Sequence, residues 1–160
     1  MGQAEVERIK AFFSELGIVP TYLEHEPVLT SEEAARSRGF QLKQGIKALL
    51  FTDEKEWTIV DVPADKKADT KKVADFLGWT KSKIRMATPE EVMEKTGCQI
   101  GAVPPFGHKE ELLILVDVGV YENRESAFNI GLRTHSVKVN TELMKKVFRK
   151  AKAQEGVFCR

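Results

Sequence analysis

The sequence predicts an α+β fold: a single domain over 1–160 in which a mixed, mainly antiparallel, curved sheet is flanked by helices. Three observations carry that expectation. A chain of 160 residues suits one domain with a substantial core of its own. Two apolar runs, 45–52 and 57–63, flank the polar turn Asp53-Glu54-Lys55-Glu56, which is the pattern of a β-hairpin. Around that hairpin, isolated helices and short strands follow one another irregularly, without the strict strand–helix alternation of a doubly wound sheet.

Each element has its own signal. In 4–16 the apolar residues Val6, Ile9, Phe12, Phe13 and Leu16 recur at helical spacing, and Gly17 follows as a stop. Residues 21–25 are β-favourable and end before Pro27. Thr30, with Glu33 three residues on and Gly39 beyond, reads as a capped short helix. The hairpin comes next. Asp69 caps a helix carrying Val73, Phe76 and Leu77, which stops at Gly78. A brief strand is expected at 84–87. Thr88-Pro89-Glu90-Glu91 combines an N-cap, a proline at the first helical position and a glutamate at the third, so a helix starts there and ends near Gly97. Residues 112–118 read as a central strand and 136–139 as another. Asn140 or Thr141 caps a last helix expected to run through Ala153.

Composition excludes several classes. An apolar fraction of 42% with 31% charged residues describes an ordinary soluble chain, and a formal net charge of +1 gives no global basic field for bulk nucleic-acid binding. No apolar stretch is long enough to span a bilayer, and the start of the chain is polar rather than signal-like, so the expected location is cytoplasmic and no membrane partner is expected. Cys98 and Cys159 lack any C-x-x-C spacing, and His25, His108 and His135 form no ligand pair, so neither a metal nor a cofactor is expected.

The segment with the most unusual chemistry is Gly101-Ala102-Val103-Pro104-Pro105-Phe106-Gly107. Two prolines fix φ in the middle while two glycines free the ends, so the segment is a stiff, shaped loop that is either a ligand cradle or a buried connection. Lys47 is the second anomaly. Strand alternation puts it on one side with Leu49 and Phe51, and Ile46, Ala48 and Leu50 on the other, so it lies in a strand with two apolar faces. Such a lysine either snorkels from a strand end or is placed for an anion. Two basic clusters, Lys66, Lys67, Lys71, Lys72 and Lys145, Lys146, Arg149, Lys150, Lys152, are either solvated faces or phosphate contacts.

The order of His25 and Pro27, Thr30-Ser31-Glu32-Glu33-Ala34-Ala35, Gly45-Ile46-Lys47-Ala48-Leu49, Thr88-Pro89-Glu90-Glu91, the 101–107 loop and Asp117 resembles the YbaK/ProX family. Its members are freestanding aminoacyl-tRNA deacylases related to the editing insertion domain of bacterial prolyl-tRNA synthetases, and the resemblance covers roughly 5–150. It implies hydrolysis of the ester on a mischarged tRNA, with the tRNA acceptor end as partner and an aminoacyl-tRNA synthetase as a second one. By position, Lys47 and Gly101 are the implied catalytic residues. Ala102, Val103, Pro104, Pro105, Phe106, Gly107, His25 and Asp117 are the implied substrate-binding residues. Two departures stand out. Ala48 replaces the polar residue that many relatives carry after the lysine, and Pro104-Pro105 replaces the Ser-Pro of cysteinyl-tRNA-directed members. The alternative expectation is a non-catalytic tRNA- or synthetase-binding module of the same fold.

Overall fold

The computed structural model describes residues 2–27, 36 and 41–160. The expected helix from Thr30 to Gly39 lies outside these, Arg36 apart. The hairpin forms as the sequence indicates: β2 (Ile46–Thr52) and β3 (Trp57–Pro63) pair antiparallel from Ile46 opposite Pro63 to Thr52 opposite Trp57. Asp53 closes its turn, its Oδ1 accepting from the Lys55 and Glu56 amides at 3.0 and 2.8 Å. This hairpin is the centre of a five-stranded sheet. β4 (Arg85–Met86) pairs only with Phe51 and Thr52 of β2, β5 (Leu113–Asp117) runs parallel to β3, and β8 (Gln154–Gly156) runs parallel to β5.

A second, three-stranded sheet is wholly antiparallel. β7 (His135–Asn140) lies between β1 (Thr21–Glu24) and β6 (Glu125–Asn129). The backbone pairing between the two sheets is a single parallel bridge from Gly45 to Ala127 among the described residues. The one curved sheet expected from the sequence is therefore divided, with a corner at the start of β2. β6 carries no sequence signal, since Glu-Ser-Ala-Phe-Asn has no β-branched residue, yet four of its five residues are buried.

Four helices flank the sheets among the described residues: α1 (Gln3–Glu15), α2 (Thr70–Leu77), α3 (Pro89–Thr96) and α4 (Thr141–Lys150). The caps are as read. Asp69 accepts from Lys71 and Lys72, Thr88 and Glu91 form a capping box, and Asn140 accepts from Glu142. The last helix stops at Lys150 rather than Ala153, because the chain turns at Lys152, whose φ is 61°, and then pairs with β5 as β8.

Two cores result, one on each face of β2. On one face Ile46, Leu50 and Ile59 pack with Val6, Ile9 and Phe13 of α1, Met144, Val147 and Phe148 of α4, and Phe128 and Val137 of the smaller sheet. On the other, Phe51, Val60, Val62 and Leu115 pack with Val73 and Ala74 of α2 and with Phe158 and Cys159 of the tail. The alternation expected for β2 holds.

Candidate active site

The 101–107 loop is held by the turn between β6 and β7. Three successive carbonyls are fixed: Arg133 donates to Ile100 from Nε and Nη2 at 3.0 and 2.7 Å, Asn129 donates from Nδ2 to Gly101, and the Gly131 amide donates to Ala102 at 3.0 Å. The Ala102 amide is itself spent on the Gln99 carbonyl at 2.9 Å. In a trans peptide the N–H points opposite to its C=O, so fixing Ile100 and Ala102 aims the Gly101 and Val103 amides away from the turn. Among the described residues no acceptor takes either amide.

The middle of the loop is core. Phe106 is fully buried, with ring centroids 4.8, 5.5 and 5.9 Å from Phe12, Phe13 and Phe128. Ala102, Val103, Pro104 and Pro105 are buried, Gly107 is half-buried, and only Gly101 is exposed. The segment is a buried connection, with the fixed Gly101 and Val103 amides at one end. His108 faces inward, its Nε2 donating to the Pro104 carbonyl at 2.6 Å, and burial is the main cause that pushes its pKa down to about 4.

His25 joins this construction indirectly. Its Nε2 lies 2.7 Å from the Ser136 hydroxyl, Ser136 donates to Asn129 Oδ1 at 2.9 Å, and Asn129 holds the Gly101 carbonyl. The other ring nitrogen is 2.9 Å from the Glu26 carbonyl. Asn129 and Arg133 escape a sequence reading because they lie on or just after β6, which has no signal of its own, and Ser136, inside the strand expected at 136–139, is an ordinary polar residue there.

Lys47 is not brought against the loop. Its side chain points to the face covered by α2 and the tail, whereas Ala102, Val103 and Phe106 belong to the core on the opposite face. It is nonetheless at an opening: β4 covers only the far end of β2, and Lys47, Ala48 and Leu49 are half-buried along an edge that no described strand pairs. Burial lowers the Lys47 pKa, opposed by Cys159 and Asp65 and assisted by Lys67. It makes no ion pair with the described residues.

Asp117 is 4% exposed, and its carboxylate is occupied by backbone: Oδ1 accepts from Phe158 at 2.7 Å and Oδ2 from Gly119 at 2.9 Å. It ties the tail to β5. Asp61, directly opposite Ala48, is a further residue that the sequence reading misses, although it obeys the same rule that singles out Lys47, a charge inside an apolar run. It is fully buried, and among the described residues neither carboxylate oxygen has a hydrogen-bond partner.

Nucleophilic cysteine chemistry has no support here. Cys98 and Cys159 are free and buried, and desolvation pushes both thiols up to about 12. Among the described residues no group of three or more His, Cys, Asp or Glu could hold a metal ion, and no helix is long and apolar enough to cross a membrane.

Comparison with known proteins bears on the family and the fold. The family model described as the aminoacyl-tRNA editing domain matches residues 25–147. A protein of Escherichia coli strain K12 named multifunctional Ser/Thr-tRNA deacylase ProXp-y is 32% identical over 145 residues, 88% of this chain and 86% of that one. A proline–tRNA ligase of Thermosipho melanesiensis is 30% identical over 75% of this chain, matched to 21% of its own length. A crystal structure described as a candidate trans-editing enzyme for prolyl tRNA synthetase superposes with a TM-score of 0.83 at 26% identity, covering 98% of this chain and 97% of the other. With its fold shared along nearly its whole length and its sequence matched from residue 25 to 147, the chain belongs to the aminoacyl-tRNA editing domain family, the group to which the YbaK/ProX resemblance pointed.

Proposed function

We propose that this protein is a trans-acting deacylase that hydrolyses the ester joining a wrong amino acid to the terminal ribose of a tRNA, with the Gly101 and Val103 amides holding the ester carbonyl oxygen. The observation that carries this reading is the fixing of the Ile100, Gly101 and Ala102 carbonyls from one turn, which leaves two backbone donors aimed and unused among the described residues. Water adds to the ester carbonyl, negative charge grows on its oxygen, and donors already in place stabilise that charge without reorganising. The bond between the acyl carbon and the ribose oxygen then breaks, a proton given up by the attacking water passes to the ribose oxygen, and the amino acid leaves as its carboxylate. An aminoacyl ester is activated, so positioning and charge stabilisation suffice without a covalent intermediate; the two thiols are buried, and the Ser136 hydroxyl beside His25 is fully buried and donates to Asn129.

Lys47 supplies a cation rather than a base. Without an ion pair to the described residues, at the open edge of β2, its ammonium acts as a point charge on the phosphates next to the terminal nucleotide, and Ala102, Val103, Pro104 and Pro105 wall the amino-acid side. An aminoacyl-tRNA synthetase is the partner that would deliver such a substrate. The separation of Lys47 from the loop favours one second reading, a module that binds tRNA without turnover.

One experiment separates the two. Purified protein and Lys47→Ala are incubated with a panel of mischarged tRNAs, seryl and threonyl esters first because the E. coli relative is named for them. Hydrolysis of at least one ester, reduced at least about tenfold in Lys47→Ala, is expected, since a charge-assisted contact of this kind is worth roughly 1.5–3 kcal/mol. Salt-sensitive tRNA binding with no turnover of any member would leave only the binding module.

A further inference from the structure

We infer that Asn129 and Ser136 are positioning residues for this hydrolysis, and that His25 serves as the far end of their hydrogen-bond chain. The inference rests on the reading of the 101–107 loop as the wall that binds the ester. The polarity of the chain is set at its Gly101 end. A carbonyl only accepts, so Asn129 turns Nδ2 toward Gly101 and leaves Oδ1 as an acceptor. Ser136 fills that acceptor with its hydroxyl hydrogen at 2.9 Å. The hydroxyl oxygen then accepts in its turn, and His25 Nε2, 2.7 Å away, supplies the N–H. Nδ1 faces the Glu26 carbonyl at 2.9 Å, which can only accept, so the two contacts together need a proton on both ring nitrogens.

Each hydrogen bond therefore sets the orientation of the next, and the last fixes the plane of the peptide between Gly101 and Ala102. That peptide lies between the two amides aimed at the ester, so its rotation would displace both. Ser136 is fully buried and Asn129 is 9% exposed, so bulk water does not replace a hydrogen bond that is broken in this chain. Gly101 has no side chain and a left-handed φ of 84°, and leaves its own conformation under-determined. The chain from His25, the residue just after β1, supplies the missing constraint through Ser136 on β7 and Asn129 on β6. His25 is turned to Ser136 and Glu26, and it contributes through Gly101 instead of touching the substrate.

The test compares wild type with Ser136→Ala, His25→Phe and His25→Gln, using a mischarged tRNA that the wild type hydrolyses. Amide NMR shifts of Gly101, Ala102 and Val103 are recorded on the same samples without substrate. Ser136→Ala and His25→Phe are expected to lower kcat about fivefold to tenfold with KM changed less than about twofold, as for one buried hydrogen bond, and to move the Gly101 and Ala102 resonances. His25→Gln keeps an N–H donor and should stay within about twofold of wild type in kcat. Unchanged kcat and unchanged resonances in the first two variants overturn the inference, and so does a raised KM at constant kcat in His25→Phe, which would make His25 a substrate ligand. Should Ser136→Ala fold poorly, the half-exposed His25 pair decides alone. Because the resonances are read without substrate, a wild type that hydrolyses no ester defeats the functional reading and leaves the structural half of the test standing.

Discussion

Asp61 sits on β3 with both carboxylate oxygens shut from water and, among the described residues, without a donor. Burial raises its pKa well above the ordinary carboxylate value. In the unfolded chain an aspartate ionises near about 3.9, so above that pH the folded state holds a proton that the unfolded state has released. The sign follows: the ionisation penalty of Asp61 is absent below the unfolded pKa, and stability falls as pH rises from there toward the folded pKa. Asp61→Asn cuts this dependence. Its Tm relative to wild type should climb between pH 4 and pH 8, by about 3 °C or more, the shift that roughly 1 kcal/mol gives in a domain of this size. A Tm difference that stays flat over that range would mean the carboxylate is stabilised in place. Two glycines give a contrasting pair. At Gly101 an added Cβ would meet only Arg133 Nε at 3.9 Å, so Gly101→Ala suffers left-handed backbone strain of about 1–2 kcal/mol and nothing more. At Gly131, with φ 124°, the same Cβ would lie 2.8 Å from Glu5 Cβ and 2.9 Å from the Gly2 carbonyl, so Gly131→Ala should lower Tm by more than Gly101→Ala does, as thermal melts of the two would show. Sequence reading works at this scale where one residue contradicts its neighbours, as Lys47 does among apolar residues. It works poorly for Asn129 and Ser136, ordinary polar residues that acquire meaning only when a fold aligns them.

At the scale of elements, the caps make the helix starts legible. Asp69, Thr88 and Asn140 each hold an amide of the first turn, a local interaction that three or four residues suffice to specify. Strand pairing is non-local, and there the sequence says less: nothing near 154–156 announces β8, whose partner Leu113–Asp117 lies far back in the chain. Asp117 shows what such pairing does to a motif residue. The family pattern offers it as a substrate ligand, while the structure spends both oxygens on the amides of Gly119 and Phe158. The tail that it anchors runs on beside α2, with the Asp69 amide donating to Phe158, the Arg160 amide donating to Lys67, and the Lys72 ammonium donating to Cys159. Asp117→Ala strands two buried amides and should destabilise by about 2–4 kcal/mol, read by denaturant titration. At a temperature where the variant is folded, KM for the mischarged tRNA should stay within about threefold of wild type. A raised KM with stability unchanged would return Asp117 to the substrate.

For the whole molecule, the question is which side meets the acceptor stem. A net charge of +1 leaves no overall field to steer tRNA, so any phosphate contact must come from a local patch. The sequence offers two clusters, and the fold treats them differently. On α4, Lys145 pairs with Glu142 and lies over Tyr121, while Lys150 pairs with Glu15 and lies over Phe12, so both ammonium groups are satisfied within the protein. Lys66, Lys67 and Lys71 are exposed and make no ion pair with the described residues, and Lys67 lies close enough to Lys47 to lower its pKa. These exposed cations and the open edge of β2 therefore share one side. Each phosphate contact releases counterions, with a slope of about 0.7–0.9 in log K against log salt. Lys66→Gln with Lys67→Gln should flatten the slope for tRNA by roughly 1.4–1.8, whereas Lys145→Gln with Lys150→Gln should leave it within about 0.3 of wild type. Binding isotherms from low to moderate salt decide between the sides, because a slope that responds to the α4 pair and ignores the other would put the acceptor stem on the opposite face.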